Sequence, residues 1–371
     1  MPSPLTGESL LLLGGTGFLG RVIAARLLTD TDCPILLPVR ARHEPAQVLA
    51  AIAAEDPRLS VEVVSARCQV VPLPSDLVDL APQARAFGVR GLLNCAGSVA
   101  YFNRDALIAG NESLTEAAIA LGRALEVEHF TYLSTAFCSG FRQGPIHETL
   151  HSGPAVDPTY YTTSKRNCEQ LVAASGLPWL ITRPSIVMGD SRSGHYTGRP
   201  YGIYQLWRGW EKMLLREPRQ VAHGMGSSAP VQIVHQDAVA QGTLAALRDF
   251  QPGRILHLVG NPETLPRVRD CWRLWFESVV RPETAHFHAT LADANSHDLS
   301  PKVRTYLEIT ATNLLIAEQP WDFQTQGLEE LGLPRPQADL HTLARCQEAF
   351  IARSPRLQAY RAAGLSPDST P

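Results

Sequence analysis

Tyr161 and Lys165, four residues apart in Tyr161-Thr162-Thr163-Ser164-Lys165, carry the most specific chemistry in this sequence. On a helix that offset puts a phenol and an ammonium on one face, one turn apart. A phenol ordinarily ionises at about pH 10, and a neighbouring cation makes ionisation easier. The pair can therefore give a proton to a carbonyl oxygen or take one from a hydroxyl. Tyr160 lacks the offset. Upstream, Ser134-Thr135-Ala136 ends an apolar run, where Thr135 can offer the same oxygen a second hydrogen bond. Isolated Tyr/Lys pairs at this spacing arise by chance in many helices, so the reading depends on what positions them.

A glycine-rich turn supplies that context. Ser9-Leu10-Leu11-Leu12-Leu13 is followed by Gly14-Gly15-Thr16-Gly17-Phe18-Leu19-Gly20. The leucine run reads as a strand buried on both faces. The glycines stand at G-x-x-G-x-x-G rather than the commoner G-x-G-x-x-G spacing. Gly14 permits the tight turn, Gly17 a close approach to ligand, and Gly20 close packing of helix on strand. A helix opening there presents N–H groups and a positive dipole end to a pyrophosphate, which makes Gly14, Thr16, Gly17, Phe18, Leu19 and Gly20 candidate cofactor contacts. An ordinary structural turn is the competing reading.

Further candidates stand at the strand ends. The second strand, Pro34 to Val39, runs into Arg40, with Arg42 beyond. An acidic residue there would suit NAD; a guanidinium suits a 2′-phosphate, so NADPH is expected. A solvated surface arginine is the alternative. Asp76-Leu77 follows the third strand and is a candidate for the adenine edge. Asn94-Cys95-Ala96-Gly97 closes the fourth with small residues, making Asn94, Ala96 and Gly97 candidates to lie along the cofactor. Asn111, within a long helix, is a candidate for a buried amide that fixes the site.

The elements that must hold these residues alternate. Strands are expected at 9–13, 34–40, 61–64 with 70–71, 91–94, 130–134, 179–183 and 255–259. Helices are expected from Leu19, over 44–55 and from Ala106 to Leu125. Such alternation predicts an α/β fold with a doubly wound parallel sheet of Rossmann type. Residues 1–260 are expected to form that domain, with 190–232 contributing to a substrate lid. Residues 261–365 read as a smaller, mostly helical substrate-binding cap, with apolar stripes at Val303, Tyr306, Leu307, Ala311, Leu314 and Leu315 and at Leu340, Leu343, Ala344, Phe350 and Ile351. Residues 366–371 read as a disordered tail.

Between Gly194 and Met213, Tyr196, Tyr201, Tyr204, Trp207 and Trp210 alternate with glycines. They could enclose an acyl chain as a mobile lid or pack the cap's own core. Arg192, Arg199, Arg208 and Lys212 are candidates to meet a phosphate or an acidic carrier protein. His286-Phe287-His288 could share a metal if extended, yet no third ligand accompanies it at a recognisable spacing, so no metal is expected.

Composition narrows the classes. Hydrophobic residues make up 44% of the 371 and charged ones 19%, as in a packed globular protein. A net charge of −3 gives no electrostatic reason to expect nucleic acid or an anionic membrane. No run approaches membrane-spanning length, and Met1-Pro2-Ser3-Pro4 does not open a signal peptide, so a cytoplasmic protein is expected. Seven scattered cysteines without C-x-x-C pairs read as free thiols.

Taken together, Gly14/Gly17/Gly20, Asn94-Ala96-Gly97, Asn111, Thr135 and Tyr161/Lys165 resemble the extended short-chain dehydrogenase/reductase superfamily over about residues 9–260. The resemblance implies that Lys165 also binds the nicotinamide ribose and that Thr135 orients the substrate oxygen. Leu133-Ser134-Thr135-Ala136-Phe137 and the R-P-S-I-V-x-G-D-S-x-x-G run from Arg183 to Gly194 are similar to the thioester reductases and fatty acyl-CoA reductases of the male-sterility-like branch. There the backbone around Pro184, Ser185 and Ile186 would face the nicotinamide. The implied reaction is NADPH-dependent reduction of an acyl thioester, on coenzyme A or a carrier protein, to an aldehyde and, with a second hydride, to an alcohol. Thr135 and Tyr161 would stabilise the developing oxyanion. Two other readings remain at this point: an extended reductase or epimerase of a ketone, alcohol or nucleotide sugar, and a non-catalytic redox sensor.

Overall fold

A computed structural model describes the chain except for residues 1–4, 6–7, 100–102, 153–154, 158, 215–221, 280–284 and 363–371. The tail at 366–371 lies outside the described residues. In chain order the strands are β1 (Ser9–Leu13), β2 (Ile35–Val39), β3 (Cys68–Pro72), β4 (Val89–Asn94), β5 (His129–Leu133), β6 (Pro145–Ile146) and β7 (Trp179–Pro184). They continue with β8 (Ile186–Met188), β9 (Ala222–Met225), β10 (Ile233–His235), β11 (Arg254–Leu258), β12 (Ala285–His288) and β13 (Asp322–Phe323).

The chain folds as two compact units. Residues 1–185, 236–259 and 322–335 build the first. Its sheet has seven strands in the order β11-β7-β5-β4-β1-β2-β3, all neighbours parallel. Helices cover both faces, which is why Leu10 to Leu13 are all at most 2% exposed. The sheet is the Rossmann-type architecture that the alternation predicts. Its strand order reverses between β1 and β4, the place where doubly wound sheets bind ligands.

The second unit takes residues 186–235, 260–321 and 336–371. The division therefore does not follow the expected boundary at 260. Residues 186–235 go with the helical part, whereas 322–335 return to the first unit, where β13 pairs with β6. In the second unit, Asp190 Oδ1 accepts from the Ser193 amide (2.8 Å) and the Arg192 amide (3.1 Å), which makes the G-D-S-x-x-G run a tight turn. Gly194, with φ +70°, closes it; a Cβ there would lie 2.3 Å from the Arg345 carbonyl oxygen.

Three local expectations are corrected. Residues 61–64 are not strand: Val61–Arg67 is a helix whose Ser60 N-cap accepts from the Val63 amide. Capping, with Glu62 in the first turn and Arg67 in the last, outweighs the β-branched valines. The helix expected over 106–125 starts at Arg104 and passes through a wider, π-type turn at Ile108–Ser113. Leu315 is 55% exposed, because the buried stripe of its helix runs through Val303, Tyr306, Leu307, Thr310, Leu314 and Ala317.

The aromatic stretch packs the second unit's core. Tyr196, Tyr204, Trp207 and Trp210 are buried, while Tyr201 is exposed. Tyr196 stacks on Tyr204 at 3.8 Å, Trp207 on Trp275 at 5.6 Å, and Trp210 meets Tyr306 edge-on.

Gly20 ties the first helix to the turn. A Cβ at Gly20 would lie 2.2 Å from the Gly14 carbonyl oxygen and 2.8 Å from its carbon, both backbone atoms. Gly20→Ala is expected to cost about 1–3 kcal/mol through overpacking, read as a lower urea midpoint. An unchanged midpoint would show that the turn yields freely.

Candidate active site

At the end of β1 the chain turns at Gly14, whose φ of +82° is the left-handed conformation that favours glycine. A Cβ here would sit 2.5 Å from the Ala96 amide nitrogen, so the turns after β1 and β4 lie in contact. The helix Phe18–Asp30 opens behind Gly17 with no side-chain cap and no acidic residue in its first turn. Gly17 is exposed, and Thr16, Phe18 and Leu19 are half-buried. A bare helix N-terminus at the reversal point of the sheet, lined by glycine, fits a dinucleotide pyrophosphate. Gly15, which the spacing did not single out, is also constrained: its Cβ would collide with the Leu37 side chain.

Arg40 follows β2 directly, is exposed, and makes no side-chain hydrogen bond among the described residues. Asp76 serves the local fold, capping the short turn Leu77–Leu80 by accepting from the Val78 amide at 3.0 Å. Leu77 packs in the core beneath it.

The chemistry-bearing face forms where β4, β5 and the helix Tyr160–Ala173 meet. Asn94, fully buried, accepts from the Ala96 amide at 3.1 Å. Asn111, in the π-type turn, accepts from the Ser98 amide (2.7 Å) and donates to the Ser98 carbonyl (3.1 Å). That pairing fixes the segment carrying Gly97, where a Cβ would come within 2.9 Å of Asn111 Oδ1 and 3.4 Å of Lys165 Nζ. Lys165 is buried and donates to Leu133 O (2.9 Å) and to Tyr132 Oη (3.1 Å). Burial pushes its ammonium below the ordinary lysine range. An ammonium has three donors, so among the described residues one is left after these two. Tyr132 is a site residue that periodicity and spacing miss, hidden as an aromatic in a strand. Burial, and then its neighbours Cys168 and Tyr161, hold its phenol well above the ordinary range.

Tyr161 stands one turn before Lys165 on the same helix. Tyr160 is occupied elsewhere, donating to Glu112 at 3.3 Å under the Arg104 guanidinium. Thr135 is buried at the end of β5 and donates to the Pro184 carbonyl at 3.4 Å, a long bond that yields easily to a better acceptor. Ser185 is also buried, its amide donating to Leu258 O. Pro184 and Ser185 belong to the first unit, and Ile186 opens the second. Burial pushes the Cys95 thiol up to about 12, which disfavours its thiolate.

Behind this face lies a charged network that no motif announces. Arg183 and Glu169, both 0% exposed, form a two-pronged ion pair at 2.9 and 2.6 Å. The remaining guanidinium donors reach Thr149 O and approach the His151 and His257 rings at 3.2 and 3.3 Å. Glu169 is one turn past Lys165, and Arg183 immediately precedes Pro184. The R-P dipeptide and a glutamate four residues after the lysine were the signals available.

With the geometry in place, the family match and the fold together make this chain an oxidoreductase of the extended short-chain dehydrogenase/reductase superfamily with a nicotinamide cofactor. The profile of an NAD-binding family described as male sterility protein matches residues 12–243, and the chain belongs to that family. No curated protein sequence matches the chain. Among solved structures it is similar to the terminal R domain of the myxalamid PKS-NRPS pathway, with 20% identity, TM-score 0.71, and 95% of this chain and 93% of that one covered. A thiolation-reductase di-domain from an archaeal non-ribosomal peptide synthetase gives 17% identity and TM-score 0.72 over 96% and 77%. UDP-glucuronic acid 4-epimerase from Bacillus cereus gives 15% and 0.63 over 93% and 99%. At these identities the likeness is one of fold.

Burial, then Arg183, pushes His151 and His257 down to about 3. Folded, both stay neutral; unfolded, they take up protons below about pH 6.5. The unfolded state thus binds more protons between those values, and their contribution to stability, full above about pH 6.5, is lost as pH falls. The urea midpoint should drop from pH 7 towards pH 4.5, with a shallower slope in His257→Gln. Parallel slopes would contradict this.

Proposed function

We propose that the protein is an NADPH-dependent reductase of acyl thioesters, releasing an aldehyde that a second reduction can carry to the alcohol. One observation carries the chemistry: Lys165 is buried between Tyr132, Leu133 and Gly97, one turn from Tyr161 and behind the glycine turn. Support for a thioester as substrate comes from the family and from the fold likeness to terminal and thiolation-linked reductase domains. An acyl group on a carrier protein or on coenzyme A is the substrate that reading favours.

The dinucleotide, when bound, supplies hydride. The N-terminus of Phe18–Asp30 would hold its pyrophosphate and Arg40 its 2′-phosphate. Tyr161 and Thr135 bind the carbonyl oxygen of the substrate, Thr135 exchanging its long bond to Pro184. As negative charge builds on that oxygen, the two hydroxyls stabilise it and the Tyr161 proton moves across. Lys165 stabilises the phenolate left behind. Collapse of the resulting hemithioacetal releases thiol and aldehyde.

The fold likeness to the epimerase supports a second reading, action on a ketone or nucleotide sugar. Arg40 speaks against it where NAD is recycled in place.

Purified protein should oxidise NADPH when given acyl-CoA or acyl carrier protein, with an aldehyde trapped as its oxime. Tyr161→Phe should lower kcat by about 10²–10⁴ while cofactor affinity holds. Arg40→Ala should weaken NADPH by about tenfold or more and NADH little. Turnover of ketones or nucleotide sugars without any thioester activity would select the second reading.

A further inference from the structure

The second unit holds a cluster of imidazoles that the reductase reading leaves unused. Parallel pairing of β9 with β12 sets His223 beside His286, and strand alternation returns His288 to the same face. The His223 ring stacks on His288 at 5.2 Å, and His223 Nδ1 lies 2.9 Å from His288 Nε2. The other nitrogen of His288, Nδ1, is 4.0 Å from Asp293 Oδ2. Asp293 Oδ1 is in turn 4.0 Å from His297 Nε2. One ligand atom from each of the three side chains lies within 4.8 Å of the others.

We propose that His288, Asp293 and His297 form a site for a divalent first-row transition-metal ion of the zinc type. Two imidazole nitrogens and one carboxylate oxygen match zinc, whereas magnesium and calcium prefer all-oxygen sets. Metal–ligand bonds of about 2.0–2.2 Å put two ligand atoms on one ion no more than about 4.3 Å apart. The observed spacing is at or just beyond that span, so the site closes with small side-chain movements. The arrangement allows them: Asp293 is 45% and His297 53% exposed, whereas His288, at 3%, is fixed. Asp293 and His297 share one side of the turn that ends the helix Leu291–Asn295, and Asp293 Oδ2 is steadied by the Ala289 amide at 2.9 Å.

His223 is the positioning residue. When His288 Nε2–H donates to His223 Nδ1, the lone pair of His288 Nδ1 faces the carboxylate, the tautomer a cation needs. Three protein ligands leave a fourth position for water. Of the H-x-H pair only His288 takes part, and its two companion ligands follow within nine residues.

Chelator-dialysed protein titrated with Zn²⁺ by calorimetry should show saturable one-to-one binding at micromolar concentrations, and Co²⁺ should give visible ligand-field absorption. Asp293→Asn and His297→Ala, both at exposed positions, should each weaken binding at least about tenfold. His223→Ala should weaken it about 10–100-fold, and His286→Ala should leave it unchanged. No saturable binding, or binding that survives in the Asp293→Asn/His297→Ala double variant, overturns the proposal.

Discussion

A guanidinium and a carboxylate with no exposed surface form the interaction on which the candidate catalytic face depends. Burying either charge alone costs several kcal/mol, so Arg183 and Glu169 tolerate one another's company only in good geometry with their remaining donors and acceptors satisfied. The network meets that condition through Thr149 O, the His151 and His257 rings, and the two-pronged contact itself. Its consequence is positional. Glu169 belongs to the helix that presents Tyr161 and Lys165, and Arg183 to the strand that ends in Pro184. The pair therefore fixes helix to strand within a few residues of the proposed catalytic groups.

Lys165 obeys the same constraint on a smaller scale. Its ammonium is buried, yet two donors find Leu133 O and Tyr132 Oη, and the Tyr132 ring lies 4.7 Å away. Those contacts hold the ammonium beneath Gly97, where any side chain would intrude. The site is thus set by contacts that exclude bulk, with glycine at the approaches and a buried cation below.

Much of this was legible in the residues. The leucine run, the glycine spacing, Thr135 and the Tyr161/Lys165 offset all depend on local periodicity, and the fold sets the glycine turn after β1 and Thr135 after β5. What the sequence concealed is long-range or capping-dependent. Val61 to Val64 resembled a strand until Ser60 capped them into a helix. Tyr132 looked like any strand aromatic, and Arg183 meets Glu169, His151 and His257 only after folding. The aromatic run from Tyr196 to Trp210 has a helical period, which cannot by itself tell a lid from a core. Its partners, Trp275 and Tyr306, lie far along the chain. The domain boundary failed to show for a related reason: residues 322–335 rejoin the first unit through a two-residue strand pair.

On the proposed reading, this face directs hydride from a nicotinamide to a thioester carbonyl. The most direct measurement is a single turnover with NADPH deuterated at the transferable C4 position and an acyl thioester, followed by mass spectrometry of the product. Deuterium at C1 of the aldehyde or alcohol is the predicted result. A thioester that comes through unreduced while the cofactor keeps its label would contradict it.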